Sequence, residues 1–237
     1  MNLFFGDCLE VLKDISENSV DCVIADLPYG QTACKWDKMI DLDKLWIELK
    51  RVGKNECLYF FFTTTKFGID LINSNRKWFR YDYVWTKPRL SSPLTTKSKF
   101  ATAHEMIYVF AKPRMKVCYN RDIYHKKIPY GKSFNTKNHI TNTNITKKNR
   151  TRYEPSLPLS HFQFTASNGY KAIRTTQKPI LLLEHLIKYF TNEGDTILDP
   201  TMGSGSTGVA CKNLKRNFIG IEIDKEIYDY AVERLKN

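Results

Sequence analysis

The sequence has no apolar run long enough to span a bilayer, which excludes a helical membrane protein. Its first six residues, MNLFFG, hold neither a charged region nor a long apolar core, so no signal peptide is expected. Cysteine is present but never paired at CxxC spacing: Cys8, Cys22, Cys34, Cys57, Cys118 and Cys211 are scattered, several of them in apolar, core-like stretches. That pattern favours reduced thiols in a cytoplasm over disulfides or zinc. The five histidines, His104, His125, His139, His161 and His185, show no metal-ligand spacing, and no metal site is expected. There is no internal repeat.

Acid is nearly missing from one internal segment. Between Lys112 and Arg152 there are 12 Lys and Arg against the single acid Asp122, while the rest of the chain is balanced at 25 against 24. The net charge of +12 is therefore local. A concentrated basic patch points to a polyanion, most often nucleic acid. Over 112–170 periodicity is also lost, and Tyr119, Tyr124, Tyr130, Phe134 and Tyr153 are interspersed among Lys, Asn and Thr. Core-like strands resume after it, so the segment reads as an insertion within one domain formed by 1–111 and 171–237.

Elsewhere strands and helices alternate. Leu3–Phe5, Val20–Ala25, Glu56–Thr63, Tyr81–Trp85 and His104–Ala111 read as strands, and Ser156–Phe164 as a strand returning to the body. Leu9–Ile15, Asp41–Val52, Phe67–Ser74, Pro179–Phe190 and Tyr228–Leu235 read as helices. VDCVIA and CLYFFFT are near-continuous apolar runs, as parallel strands covered on both faces require. At least one of Phe60–Phe62 is expected in the core. The pattern predicts an α/β fold with a mostly parallel sheet.

The most informative stretch is TILDPTMGSGSTGVACKNLKRNFIGIEID, residues 196–224. It reads as strand, glycine turn, helix (Ser206–Leu214) and second strand (Asn217–Ile223). Gly203, Gly205 and Gly208 stand at GxGxxG spacing, and Glu222 lies near the end of the second strand. This is a nucleotide-binding βαβ pattern, in which glycines admit a ligand to the backbone and the acid meets ribose hydroxyls. Asp199, at the tip of the first strand, would repel a pyrophosphate. S-adenosylmethionine carries no phosphate but has an ammonium and a sulfonium, which a carboxylate attracts. A nicotinamide oxidoreductase is disfavoured for that reason, and because a chain ending at Asn237 leaves no room for the rest of a dinucleotide fold.

A second constellation, Asp26-Leu27-Pro28-Tyr29, follows the apolar strand 20–25, at the end where open α/β sheets bind ligands. An exocyclic amine of adenine or cytosine is a poor nucleophile because its lone pair is delocalised into the ring. Asp26 and the Leu27 carbonyl, both accepting from the NH₂, would favour a more tetrahedral nitrogen. Pro28 holds Leu27 extended and aims that carbonyl. Tyr29 offers a ring face to the base, which must leave the duplex to reach such a pocket. Trp36 could close over the base or serve packing, and His185 reads as structural.

Taken together, DLPYG at 26–30 and DPTMGSGSTG at 199–208 resemble motifs IV and I of the amino-group DNA methyltransferases. Gln177-Lys178-Pro179 is similar to motif X, IGIEI at 219–223 to motif II, and Gly6-Asp7 to motif III. The order is that of the permuted β class, which acts on adenine N6 or cytosine N4. The resemblance implies a seven-stranded Rossmann-like sheet and S-adenosylmethionine as methyl donor. It implies that Asp199, Gly203 and Gly205 line the donor's methionine end, with Glu222 on its ribose, Asp7 by its adenine and Lys178 near its carboxylate, and that Thr201, Ser206 and Thr207 also bind the donor. It implies Asp26, Leu27, Pro28 and Tyr29 as the catalytic tetrapeptide, and 112–170 as the target-recognition region on double-stranded DNA. A homodimer and an associated restriction endonuclease are further expectations for this class. Two positions depart from the pattern: Leu27 replaces a usual proline, and Thr201 a usual aromatic. Aspartate at the first position of motif IV favours adenine N6. Cytosine N4 is the nearest alternative, and a DNA-binding protein without catalysis a more distant one.

Overall fold

The computed structural model describes residues 1–30, 39–87, 97–98, 100–129, 151–165 and 177–236. Trp36, Tyr130 and Phe134 lie outside them. The chain forms two compact units, Met1–Tyr119 with Ser160–Asn237, and Asn120–Leu159.

The larger unit is built, in chain order, from β1 (Asn2–Phe5), α1 (Cys8–Val11), β2 (Val20–Ala25), α2 (Leu42–Val52), β3 (Gly53–Thr63), α3 (Thr65–Ser74), β4 (Phe79–Thr86) and β5 (His104–Ala111). The smaller unit supplies α4 (Arg121–Tyr124), β6 (Lys126–Pro129) and β7 (Thr151–Glu154). The larger then resumes with β8 (His161–Gln163), α5 (Ile180–Phe190), β9 (Thr196–Asp199), α6 (Ser206–Asn213), β10 (Asn217–Glu222) and α7 (Lys225–Lys236). The helix expected over Leu9–Ile15 is one α-turn capped by Asp7, followed by a 3₁₀ turn, Leu12–Asp14.

The sheet order is β1-β10-β9-β2-β3-β5-β4-β8. The five strands from β1 to β3 are parallel; β5 runs antiparallel to both β3 and β4. Seven of these strands are the expected sheet. The eighth, β8, pairs parallel with β4 at the edge, and Trp85 Nε1 and Thr86 Oγ1 donate to the Phe164 and Phe162 carbonyls at 3.0 and 3.1 Å. It is shorter than the strand expected over 156–164.

Helices cover both faces, which explains the unbroken apolar runs in β2 and β3. On one face Leu45, Trp46, Leu49 and Val52 of α2 pack with Tyr59, Phe61 and Phe110. On the other, Phe60 meets Phe190 of α5 at 5.2 Å between ring centroids. Phe60, Phe61 and Phe62 are all buried. His185 of α5 lies among the rings of Phe162, Phe164 and Tyr189, a structural position. Among the described residues no helix is long and apolar enough to cross a membrane.

The third glycine of the GxGxxG run serves packing. A Cβ on Gly208 would stand 2.8 Å from the Phe218 ring and 2.9 Å from both Leu235 methyls. Gly208→Ala is therefore expected to cost about 1–3 kcal/mol by overpacking. Urea unfolding would show this as a lower midpoint at unchanged slope, and an unchanged midpoint would refute it.

The smaller unit holds local structure although the sequence there loses periodicity. Strands β6 and β7 pair antiparallel, Lys126 opposite Glu154 and Ile128 opposite Arg152. The Arg121 guanidinium lies 5.1 Å over the Tyr153 ring, and His125 Nδ1 lies 2.7 Å from the Pro155 carbonyl. Arg121, His125, Lys126, Lys127 and Tyr153 line a shallow basic cavity of about 540 Å³.

Candidate active site

The sheet order creates the site. The chain steps from β9 to β10 in one direction and from β2 to β3 in the other, so β9 and β2 flank a topological switch point. Crevices at such points, at the carboxyl ends of the strands, are where open α/β sheets bind ligands. Strands β2 and β9 are paired, Val23 opposite Leu198, and the Asp21 carboxylate accepts the Thr196 amide at 2.9 Å. Asp26 and Asp199, remote in sequence, thus follow neighbouring strand tips. Thr201 Oγ1 donates to the Asp26 carbonyl at 3.2 Å and joins the two loops directly. A hydroxyl here does what the usual aromatic could not.

Asp199 is buried, its Oδ2 accepting from Thr207 Oγ1 at 2.6 Å and its Oδ1 from the Thr201 amide at 3.1 Å. Burial pushes its carboxyl up to about 7 against those two hydrogen bonds, with nearby Asp26 and Glu222 adding to the rise. Glu222 ties the loop to the sheet: Oε2 accepts the Gly203 amide at 2.9 Å and Oε1 the Asp224 amide at 2.8 Å. Burial raises its carboxyl as well, against its backbone hydrogen bonds. Gly203 has a left-handed φ of 52°, and a Cβ there would meet nothing within 4 Å. The turn thus presents bare backbone to open space beside two buried carboxylates, a cradle suited to a cationic ligand.

The other sequence-chosen residues fall around this cradle with different duties. Asp7 caps α1 through the Leu9 amide at 2.8 Å, and the neighbouring Gly6 amide donates to the Glu222 carbonyl at 3.0 Å. Asp7 and Glu222 therefore share one end of the crevice. Gly205, at φ 78°, caps α6, and a Cβ there would stand 3.1 Å from Leu235 and 3.3 Å from Ala231. The Ser206 hydroxyl accepts from Arg234 Nη1 at 3.2 Å and the Thr207 hydroxyl is spent on Asp199, so both are turned inward.

The tetrapeptide is anchored by Leu27, which is 2% exposed and belongs to the core. The Tyr29 hydroxyl lies 2.6 Å from Asp26 Oδ1 and 3.1 Å from the Phe62 carbonyl. A phenol has one proton, and the charged, nearer carboxylate takes it. The Tyr29 ring leans on Phe67 at 5.2 Å. The Lys178 ammonium, which the sequence places near the donor's methionine carboxylate, donates to Asp26 Oδ2. Burial would lower the Lys178 pKa, but Asp26 and then Glu105 outweigh it and raise it, so the side chain stays charged. Sequence reasoning missed Glu105. Its only signal was an acid inside the otherwise apolar strand HEMIYVFA.

Among the described residues no cluster of His, Cys, Asp or Glu is arranged to hold a metal.

A family model described as DNA methylase matches residues 20–233. The Type II methyltransferase M.HinfI of Haemophilus influenzae is 30% identical, the match covering 98% of this chain and 67% of that one. The DNA adenine methyltransferase YhdJ of Escherichia coli K12 is 29% identical over 98% of this chain and 82% of its own. The crystal structure of an M1.HpyAVI–SAM complex superposes with a TM-score of 0.70 over 100% of this chain and 99% of that one, at 24% identity, which is a likeness of fold.

Proposed function

This chain belongs to the DNA methylase family whose model spans residues 20–233, and from that premise we propose that it methylates adenine N6 in double-stranded DNA, with S-adenosylmethionine as donor. The observation that carries the reading is the adjacency of two loops, Thr201 of the glycine turn bonded to the carbonyl of Asp26.

The cradle suits the donor. Asp199 and the open backbone of Gly203 would take its cationic methionine end, and Glu222 and Asp7 its ribose and adenine. When bound, the donor supplies a methyl carbon activated by a sulfonium leaving group. The chain's own work is alignment. Asp26, oriented by Tyr29, accepts an N–H of the extruded base and localises the amine lone pair. The Leu27 carbonyl is the second acceptor, on a backbone fixed by the buried Leu27 side chain. The proton released afterwards leaves through Asp26 or water.

Adenine is preferred because the tetrapeptide opens with aspartate, and the relative YhdJ is by name an adenine methyltransferase. Labelled-methyl transfer to unmethylated genomic DNA, followed by digestion and nucleoside identification, tests this. N6-methyladenine is expected. N4-methylcytosine would overturn the base assignment, and DNA binding without label would overturn the activity.

The basic segment 112–170 is proposed as the target-recognition region, its lysines holding phosphates. Lys126→Ala with Lys127→Ala is expected to weaken DNA binding and to flatten the salt dependence of log K by roughly 1–2 in slope. Fluorescence titration across salt concentrations would show it, and an unaltered slope would remove these two side chains from the interface.

A further inference from the structure

Both oxygens of Asp26 already hold a donor, with one lone pair left on each. Its Oδ1 holds the Tyr29 hydroxyl and its Oδ2 holds the Lys178 ammonium. The incoming base amine must donate to the same carboxylate, and it competes there with the Lys178 ammonium. A second carboxylate stands on the far side of the same ammonium. Glu105, on β5, brings Oε2 within 3.7 Å of Lys178 Nζ. That oxygen is buried and has no hydrogen-bond partner, while Oε1 is held by Lys87. A buried acceptor left unmatched is costly, and native structures keep few of them. Here it sits beside an ammonium committed elsewhere.

We propose that Glu105 is a positioning residue for methyl transfer: it receives the Lys178 ammonium when the base amine takes the Lys178 place on Asp26 Oδ2. The proposal rests on the reading of Asp26 as the base-holding carboxylate. No covalent bond changes. Asp26 exchanges an ammonium N–H for an amine N–H, and Glu105 Oε2 gains the hydrogen bond it lacks. The movement is small, about 1 Å from the present separation to an ordinary charged hydrogen bond. The cluster of Asp26, Glu105, Lys178 and Lys87 stays neutral throughout. Strand β5 pairs Glu105 with Trp85, so the receiving carboxylate is set on a rigid element. The Phe62 ring, 5.2 Å from Lys178 Nζ, offers the ammonium an aromatic face.

Turnover on unmethylated genomic DNA with labelled donor is measured for the wild type, Glu105→Gln, Lys178→Met and the double variant, alongside cofactor affinity, DNA affinity and melting temperature. Glu105→Gln is expected to lower kcat about tenfold or more with both affinities within about twofold of wild type. The Lys178→Met enzyme is expected to keep measurable turnover, and in that background Glu105→Gln is expected to change nothing further, because no ammonium remains to be received; a role confined to the fold would give losses that multiply. Multiplying losses, a Glu105→Gln enzyme as fast as wild type, or a dead Lys178→Met enzyme each overturn the proposal, the last because the ammonium would then be needed where it now lies. Should Glu105→Gln fail to fold, Glu105→Asp sets the carboxylate back by one methylene and carries the same comparison; equal slowing in both backgrounds overturns the proposal. An active Asp26→Ala enzyme would sink the reading of Asp26 itself. An inactive one beside a fully active Glu105→Gln enzyme would sink only the role of Glu105.

Discussion

Asp26→Ala is expected to lower methyl transfer by at least about a thousandfold while cofactor affinity stays within about threefold. The carboxylate follows β2, across the switch point from the glycine turn, and none of the groups shaping the glycine cradle hangs on it. Its link to that cradle runs through its backbone carbonyl, which alanine keeps. The side chain's loss leaves the amine lone pair in the ring and frees the Tyr29 hydroxyl and Lys178. Lys178 still faces Glu105, so no buried cation is stranded and the fold should survive. Single-turnover rates with labelled donor, beside calorimetric titration of the donor, separate the two effects. A variant that still turns over at a tenth of the wild-type rate would end the assignment, as would a parallel collapse of donor affinity.

Asp199→Asn should show the opposite division. Donor affinity is expected to fall about 10–100-fold, with DNA affinity nearly unchanged. Asparagine keeps an acceptor for one of the two hydrogen bonds, to Thr207 and the Thr201 amide, but carries no charge toward a cation. The pH dependence supplies an independent check. Burial has pushed the Asp199 carboxyl up to about 7. A cationic ligand favours the ionised form, so wild-type affinity should rise with pH through about 7 and then level off, while the asparagine variant should lose that step. Without ligand the sign reverses. The folded state holds this proton above the carboxyl's ordinary 3.8, so the group's contribution to stability declines as pH rises from there to about 7. Bound donor would offset that decline. Titration calorimetry over roughly pH 6 to 8, the span of the step, reads the first effect; a flat wild-type profile would show that the carboxylate does not face the donor's charge.

Some of this was legible in the residues. The β9–turn–α6–β10 unit announces itself because three local signals coincide: glycines where φ turns positive, an apolar strand before them and an acid after the next strand. The tetrapeptide after β2 could be placed at a strand's carboxyl end for the same reason, since apolar runs and prolines report on their own neighbourhood. The exchange of partners could not be placed. Lys178 lies 152 positions from Asp26, and Thr201 lies 175 positions from the carbonyl it holds. Glu105 carries no motif at all. The hydroxyls of Ser206 and Thr207, read from the sequence as donor-binding, are bonded to Arg234 and Asp199, because a helix start this deeply buried must satisfy its own polar groups.

The order of residues alone determined which segments become strands and helices, where the chain must turn, and which carboxylates stand at strand tips, since periodicity and backbone sterics act over a few residues at a time. Only the folded sheet decided which tips are neighbours. Setting β9 beside β2 brought two loops from opposite ends of the chain into one crevice, and burying that crevice forced its charges to pair: a lysine on Asp26, a second carboxylate beside that lysine, and a proton held near neutral pH on the aspartate of the glycine turn. Pairing of this kind follows from low dielectric and proximity, and proximity is a property of the tertiary structure.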